Sequence, residues 1–201
     1  MSSFIRLVTE QDAAAIHAIY APVVRDTPIS FEWEPPPVEE IRQRVVRTLA
    51  ALPWLVYEHD GAVLGYVYAN KHRDRTAYQW SVDVSVYIDA AARRLGVGRA
   101  LYTSLFAALT LQGFYNVYAG ATLPNPGSVA LHEAIGFRRV GVYHAVGYKF
   151  GAWHDVVWWE RALQAKPTTP PPLPLSLDQV LNTPAWNAAL ATGLPLLRHA
   201  D

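Results

Sequence analysis

The stretch Arg93–Gly98, RRLGVG, places two arginines and two glycines directly before a helical pattern. Unpaired N–H groups at a helix start bind anions with the help of the helix dipole, and glycine lets a ligand come close to the backbone. Gly98 is followed by Arg99 and not by Lys, so this is no Walker A loop, and a dinucleotide fingerprint needs a third glycine. Taken alone, the motif fits an anion site and a plain strand-to-helix turn equally well.

Asp83 is a first candidate for proton transfer. Between residues 80 and 88 apolar residues alternate with polar ones, which puts Asp83 on the polar face in the middle of a predicted strand. A polar face in the centre of a sheet predicts a cleft, because an unpaired buried carboxylate is unfavourable. A carboxylate with an ordinary pKa of about 4 is a weak base for an ammonium group, so it would need burial or a relay water. An ion pair with Arg73 or Arg75 is nearly as good an interpretation.

His132 is a second candidate. It shares one face of a predicted helix with Asn125 and Ser128, whereas Leu131 and Ile135 point towards the core. An imidazole with an ordinary pKa of about 6.5 exchanges protons near neutral pH. The polar stripe favours a functional histidine over a partly exposed one without a role.

The elements that must position these residues follow from pattern and turn signals. A strand, two helices and a hairpin around Asp60–Gly61 precede the alternating strand. A helix then starts at the glycine loop, and a strand, a helix capped by Asn125 with Pro126 at its first position, and two strands follow. We expect this body to span residues 1–163, and residues 164–201 to form a Pro-rich linker and a short apolar helical tail.

The composition narrows the function classes. The 201 residues carry a formal net charge of zero, which argues against nucleic acid as the main partner. The chain has no cysteine, so disulfides, thiolate metal sites and a cysteine nucleophile are excluded. The scattered histidines indicate no metal site. The N-terminus lacks the pattern of a signal peptide and no apolar run predicts a membrane span, so we expect a cytoplasmic protein.

An Arg-x-x-Gly-x-Gly turn after a mostly antiparallel sheet resembles the acetyl-CoA loop of the GNAT N-acetyltransferases. Five separated blocks are similar, in the same order, to stretches of the phosphinothricin and methionine sulfone or sulfoximine acetyltransferases within that superfamily. They are ISFEWEPP, RTAYQWSVDVSVYI, LGVGRALY, LPNPGSVALHEAIGF and GYKFGAWHDVVWWER. The resemblance covers about residues 1–163. It implies an α+β GNAT fold, in which helices flank a mixed, mostly antiparallel central sheet, followed by a Pro-rich C-terminal extension.

The resemblance also implies a reaction. Acetyl-CoA would serve as co-substrate, with no metal, and its acetyl group would pass to the primary amine of a small amino-acid-like molecule. Because no cysteine is available, direct attack in a ternary complex is the simplest route, although a serine acyl-enzyme remains open. His132 and Asp83 would be the catalytic residues. At the position of Asp83 the family usually carries Glu, so this residue is a departure that leaves base, water holder and ammonium ligand as possible roles.

The remaining site residues implied by the resemblance form two sets. The cofactor set is Val86, Tyr87, Ile88, Arg93, Arg94, Leu95, Gly96, Val97, Gly98, Arg99, Asn125 and Ser128. The substrate set is Phe31, Arg73, Arg75, Tyr78 and Asp83. The guanidinium group of arginine can donate two hydrogen bonds to a carboxylate, phosphinate or sulfone group. Aromatic side chains suit the compact apolar part of such a substrate.

Two alternative functions and one assembly stay open. An acetyltransferase for protein or peptide amines predicts an open, acidic groove. A non-catalytic acyl-CoA-binding module, with the Pro-rich tail as its docking element, predicts CoA binding without turnover. The apolar tail and the tryptophans favour a homodimer.

Overall fold

A computed structural model describes residues 2–198 of the chain. The strands are β1 (Ser3–Leu7), β2 (Trp54–His59), β3 (Ala62–Lys71), β4 (Ser81–Ile88), β5 (Asn116–Thr122), β6 (Arg138–Lys149) and β7 (Ala152–Ala162). The helices are α1 (Ala13–Asp26), α2 (Val38–Leu49), α3 (Val97–Gln112), α4 (Pro126–Ala134), α5 (Leu177–Val180) and α6 (Pro184–Ala191). From β1 to α4, and again for β6 and β7, the elements follow the order that the sequence predicts.

Within residues 2–198 the strands form one seven-stranded sheet in the order β1-β2-β3-β4-β5-β7-β6. All neighbours are antiparallel except β4 and β5, which run parallel. The expected mixed, mostly antiparallel sheet is therefore confirmed. The parallel β4–β5 pair lies at the centre of the sheet, and the two strands pair over only a short stretch.

Two hydrophobic clusters cover the two faces of the sheet. On one face α3 packs against Val67, Val82 and Val84, and this cluster continues to Trp159 of β7. On the other face α1 and α2 pack against Val56 and other residues of β2 and β3. Because neighbours along a strand point to opposite faces, Asp83 faces the α1 and α2 side, between two valines that face α3.

Local signals explain the boundaries of these elements. Thr9 and Asp12 form a capping box before α1. The Asn125 side chain accepts a hydrogen bond from Ser128 N, and Pro126 opens α4, as expected. Gly113 ends α3 at φ 93, in the left-handed region that favours glycine.

The segment after residue 163 contains the two short helices α5 and α6 and packs onto the body. Leu177, Val180 and Trp186 are buried in the same cluster as α3. Ser104 of α3 joins the two, because its hydroxyl donates to Leu190 O at 2.8 Å and accepts from Gly193 N at 3.1 Å. The boundary at residue 163 stays a prediction. Among residues 2–198 we find no helix with the length and apolar character needed to cross a membrane.

Candidate active site

The glycine loop, residues Arg93–Gly98, leads from β4 into α3. Gly96 adopts φ 82 at the helix N-cap, and its carbonyl accepts the first helical hydrogen bond from Ala100 N at 2.9 Å. The N–H groups of residues 97–99 donate to no acceptor within the described part of the chain. Arg93, Arg94 and Arg99 are exposed around these donors. The loop therefore presents unpaired donors and positive charge at a helix start, which is the chemistry of a phosphate site.

The glycines of this loop also serve close packing. A Cβ built on Gly98 would lie 3.0 Å from the Leu131 side chain of α4. The loop, α3 and α4 thus meet at one end of the sheet.

The central strands separate into a fork. The parallel pairing of β4 with β5 consists of Ser81 with Asn116, Val82 with Val117 and Asp83 with Tyr118. β5 pairs with β7 along its whole length, but with β4 only over these three residues, so the edge of β4 over residues 84–88 has no strand partner on that side within residues 2–198. An extended ligand can bind such an edge through backbone hydrogen bonds. Val86, Tyr87 and Ile88 lie along it, between the fork and the glycine loop.

Asp83 stands at the fork and its partner is a histidine. His72 Nδ1 lies 2.6 Å from Asp83 Oδ1, with side-chain exposures of 12% and 27%. The ion pair with Arg73 or Arg75 that the sequence left open is not the contact found for Asp83. Burial raises the pKa of Asp83 above its ordinary value, and the hydrogen bond from His72 acts in the opposite direction.

Aromatic rings hold His72 in place. Its ring stacks on Tyr118 of β5 at a centroid distance of 4.3 Å and an angle of 18°, and meets Tyr78 edge to face at 5.6 Å. Arg73 donates to the His72 main-chain carbonyl at 2.7 Å, and Arg75 is exposed in the same turn. Of the predicted substrate residues, Arg73 and Tyr78 therefore contact His72, the partner of Asp83. His72 itself was missed, because only the turn after β3 brings it back onto Asp83.

His132 lies in a different environment. It is 3% exposed, and its ring stacks on Trp159 at a centroid distance of 4.8 Å and an angle of 6°. Nδ1 lies 2.7 Å from Ser128 O, and Nε2 lies 3.0 Å from Tyr102 Oη. Since a carbonyl oxygen only accepts, Nδ1 carries the proton, and in the neutral ring Nε2 accepts from the Tyr102 hydroxyl. Burial lowers the pKa of His132 below its ordinary value.

The polar stripe of α4 exists, but it turns inward. Ser128 N donates to the side chain of Asn125, and the Ser128 hydroxyl lies 3.2 Å from His132 Nδ1. His132 belongs to the α3 side of the sheet, with Trp159 and Tyr102, whereas Asp83 faces the α1 and α2 side. The two predicted catalytic residues are therefore on opposite faces and do not touch.

A cavity of about 570 Å³ opens on the face that carries Asp83. Its walls are aromatic rings and a few charged and polar groups, from Tyr20, Glu32, Arg44, Trp54, Tyr66, Tyr68, Asn70 and Lys71. Asn70 of β3 pairs in register with Asp83, so the two side chains lie next to each other on one face. Arg44 donates to Glu32 Oε1 at 2.7 Å, and Arg47 and Lys71 also line the cavity, so the lining carries more positive than negative charge.

The sequence reading missed this cavity. The register of the β2–β3 hairpin is the signal that could have found it, because Tyr66, Tyr68 and Asn70 alternate along β3 onto the face of Asp83. Of the predicted substrate residues, Arg73, Arg75, Tyr78 and Asp83 are not among the lining residues, and neither is Phe31. It lies against Gly147 of β6, and its ring centroid is 6.4 Å from that of His154. Lys149 strengthens this contact between the α1–α2 loop and the β6–β7 hairpin, donating to Val24 O and Ser30 O.

Comparison with known proteins decides the family. The family model described as "Acetyltransferase (GNAT) domain" matches residues 5–158 of this chain. The chain belongs to the GNAT acetyltransferases. It is therefore an acetyl-CoA-dependent N-acetyltransferase. The glycine loop and the open edge of β4 carry residues for which the resemblance implies contact with acetyl-CoA. In residues 2–198 we find no group of three side chains suited to hold a metal ion.

Several named relatives of this GNAT chain are phosphinothricin or methionine sulfoximine/sulfone acetyltransferases. It is 40% identical over 169 residues to the phosphinothricin N-acetyltransferase of Streptomyces viridochromogenes, covering 84% of this chain and 92% of the relative. It is 31% identical to the L-methionine sulfoximine/L-methionine sulfone acetyltransferase of Salmonella typhimurium, covering 79% and 94%. The solved structure of a phosphinothricin acetyltransferase from Sinorhizobium meliloti in complex with AcCoA superposes with a TM-score of 0.80 at 34% identity, covering 86% and 94%.

Proposed function

We propose that this GNAT enzyme acetylates the primary amine of a small amino acid with a polar or acidic side-chain head, of the phosphinothricin, methionine sulfone or methionine sulfoximine type. One observation carries the proposal: a cavity with aromatic walls and charged side chains lies on the sheet face that carries Asp83, and it reaches Asn70, the β3 residue that pairs with Asp83 in register. The basic side chains complement the acidic groups of such an amino acid, and the aromatic walls suit its compact stem. The names of the similar enzymes support this substrate class.

Acetyl-CoA fits the other side of the fork. The unpaired N–H groups of residues 97–99 and the loop arginines would hold its diphosphate, and the edge of β4 would bind the pantetheine arm. From Ile88 to Asp83 the strand rises about 17 Å, which suits an extended arm that ends at the fork. Asn125 and Ser128, at the start of α4, would contribute to the cofactor side of the site.

The reaction proceeds by direct attack in a ternary complex. The amine nitrogen attacks the acetyl carbonyl carbon, a C–N bond forms, and the C–S bond breaks with its electron pair leaving on sulfur. A substrate ammonium loses one proton before attack, and a second nitrogen proton ends on the thiolate. The negative charge of Asp83 holds the ammonium group beside the acetyl carbon, and backbone N–H groups of β4 polarise the thioester carbonyl.

His132 as the proton donor to the thiolate stays a prediction. Its neutral state and its two engaged nitrogens favour a different contribution, which is to hold α4 against α3 and β7. Leu131, in the second half of α4, packs against Gly98, so this anchoring supports the start of α3 on the cofactor side of the site.

A turnover screen tests the substrate proposal. Purified protein is mixed with acetyl-CoA and with phosphinothricin, methionine sulfone, methionine sulfoximine, free amino acids or short peptides, and released CoA is measured. We expect turnover with the first three compounds above the peptides. Faster turnover with peptides would favour the peptide acetyltransferase, and CoA binding in calorimetry without any turnover would favour the binding module.

We also propose a homodimer located in the cytoplasm. Exposed aromatic residues on the β6–β7 hairpin, including Tyr143, Phe150 and Trp153, support an interface there. Sedimentation of the purified chain tests the assembly, and fractionation of expressing cells tests the location.

A further inference from the structure

We infer that His72 Nε2 is the atom that takes the proton from the substrate amine, and that Asp83 is the residue that positions it. The inference rests on the proposed function and deepens it. It starts from the 2.6 Å contact between His72 Nδ1 and Asp83 Oδ1 at the fork.

The contact determines which ring nitrogen is basic. A carboxylate only accepts, so Nδ1 carries the proton that is shared with Asp83. The lone pair of the neutral ring is then on Nε2, which has no hydrogen-bond partner in the part of the chain that the structure describes. A carboxylate that fixes the tautomer of a histidine and stabilises its charged form is a recurrent arrangement for a general base.

The surroundings keep the ring in one orientation. The Tyr118 face and the Tyr78 edge pack against it, and Tyr118 belongs to the strand that leaves β4 at Asp83. The ring is only 12% exposed in its side chain, so it is neither solvated at the surface nor sealed in the core. The ionisable groups around it are Asp83 on β4, Tyr118 on β5, and Tyr78 and Arg73 in its own turn.

Proton transfer through this pair balances the reaction. His72 Nε2 accepts a proton from the substrate ammonium and releases it to solvent after the free amine has attacked. The carboxylate of Asp83 stays ionised and stabilises the imidazolium while it exists. Asp83 alone would be a weak base for this task, whereas the neutral imidazole presents a lone pair on Nε2 and Asp83 stabilises the charge that the ring gains.

His72→Asn is the informative variant, because the asparagine amide keeps an N–H donor towards Asp83 but provides no basic nitrogen. We expect kcat/KM to fall about 100-fold or more, with KM for acetyl-CoA unchanged. We expect kcat/KM of the wild-type enzyme to decrease at acidic pH, and this decrease should be absent in His72→Asn. In His72→Ala, added imidazole should restore part of the rate. His144→Asn is the matched control, since His144 forms a similar pair with Asp155 at 3.0 Å on the exposed β6–β7 hairpin.

Two results would overturn the inference and leave the proposed function intact: a wild-type rate and pH profile for His72→Asn, or an equal loss in His144→Asn. A readout without turnover separates the two proposals further. Imidazole ¹⁵N shifts of the wild-type protein should show Nδ1–H for His72, and Asp83→Asn should change that tautomer balance. An Nε2–H tautomer in the wild-type protein overturns the inference, whichever amines are accepted.

A different observation carries a second inference: we infer that the C-terminal segment holds the glycine loop in its binding shape. Arg198 N donates to Leu95 O at 2.9 Å, and the Leu196 carbonyl lies so close to Gly96 that a Cβ there would meet it at 2.2 Å. The hydrogen bonds of Ser104 fix the same segment to α3. This contact lies beyond residues 5–158, which the family description matches.

The test compares two substitutions at one position and rests on acetyl-CoA being the ligand of the loop. Arg198→Pro removes the N–H that Leu95 accepts, whereas Arg198→Ala keeps it and removes only the charge. We expect the Kd for CoA in calorimetry to rise about five-fold in Arg198→Pro and to stay nearly constant in Arg198→Ala. Without any ligand, hydrogen exchange at Ala100, whose N–H donates to Gly96 O, should be faster in Arg198→Pro. Equal Kd values in both variants, tighter binding in Arg198→Pro, or unchanged exchange overturns this inference.

Discussion

His72 and His132 are built from similar parts but differ in what their nitrogens can do. Each ring stacks on an aromatic side chain and places Nδ1 against an oxygen, Asp83 Oδ1 in one case and Ser128 O in the other. Nε2 of His132 is engaged by Tyr102, whereas Nε2 of His72 is not engaged within residues 2–198. A carboxylate partner stabilises an imidazolium, but a main-chain carbonyl in a buried aromatic cluster does so far less. The first environment suits proton exchange, and the second suits a constant, neutral ring.

The largest effect should come from breaking the carboxylate partner of His72. Asp83→Asn keeps the shape of the side chain but removes its charge, so we expect kcat/KM to fall about 10²- to 10⁴-fold. Asp83→Glu keeps the charge and should retain more activity than Asp83→Asn, because the longer carboxylate can still accept from His72. Released CoA at saturating acetyl-CoA measures both. Equal activity in the two variants would show that the carboxylate has no part in proton chemistry.

These two sites show what the sequence can predict. The alternation along β4 placed Asp83 on a polar face, and the cap at Asn125 placed α4, because both depend on residues a few positions apart. The partners of the two candidates depend on tertiary contacts. His72 returns to Asp83 across a turn, and Trp159 reaches His132 from the last strand of the sheet. The helical stripe predicts that Ser128 and His132 share a face, but not that aromatic rings cover it.

The second effect concerns stability and should separate the two histidines in the opposite direction. His132→Ala leaves a cavity between Trp159 and Phe137 and leaves the buried Tyr102 hydroxyl without its acceptor. We expect a loss of about 3 kcal/mol in the free energy of unfolding by urea denaturation.

The control is His72→Ala, which should lose clearly less stability while losing more activity. Acetyl transfer by the folded His132→Ala protein is the second readout. An unchanged rate removes His132 from proton transfer, whereas a large loss of kcat in a stable His132→Gln protein would support the original prediction for this residue.

The pH dependence of stability should have opposite signs at the two sites. Burial lowers the pKa of His132 below 6.5, so the unfolded chain binds the proton more tightly and stability is lost as the pH falls below about 6.5. Burial raises the pKa of Asp83 above 3.8, so the folded chain binds the proton more tightly and stability is lost as the pH rises above 3.8. Each slope is at most about 1.4 kcal/mol per pH unit.

Urea midpoints from pH 4 to 8 measure these slopes by difference. The stability of wild type relative to His132→Phe should decrease as the pH falls through the histidine range. The stability of wild type relative to Asp83→Asn should decrease as the pH rises from the acidic end. A flat difference for His132→Phe would contradict the neutral, buried imidazole.

The smallest expected effect tests the hydroxyl that engages His132. Tyr102→Phe keeps the ring that packs against Phe106 and Phe137 but removes the O–H donor to Nε2. The imidazole acceptor is then left buried without a partner, and we expect a loss of about 1 kcal/mol in the free energy of unfolding. Nε2 of His132 also becomes available to a proton, because the Tyr102 hydroxyl that donated to it is gone. The pKa of His132, followed by its ring-proton NMR shift, should therefore rise towards the ordinary value in Tyr102→Phe. If it stays low, burial among the rings keeps His132 neutral on its own, and the contrast with His72 depends on desolvation and not on which nitrogens are engaged.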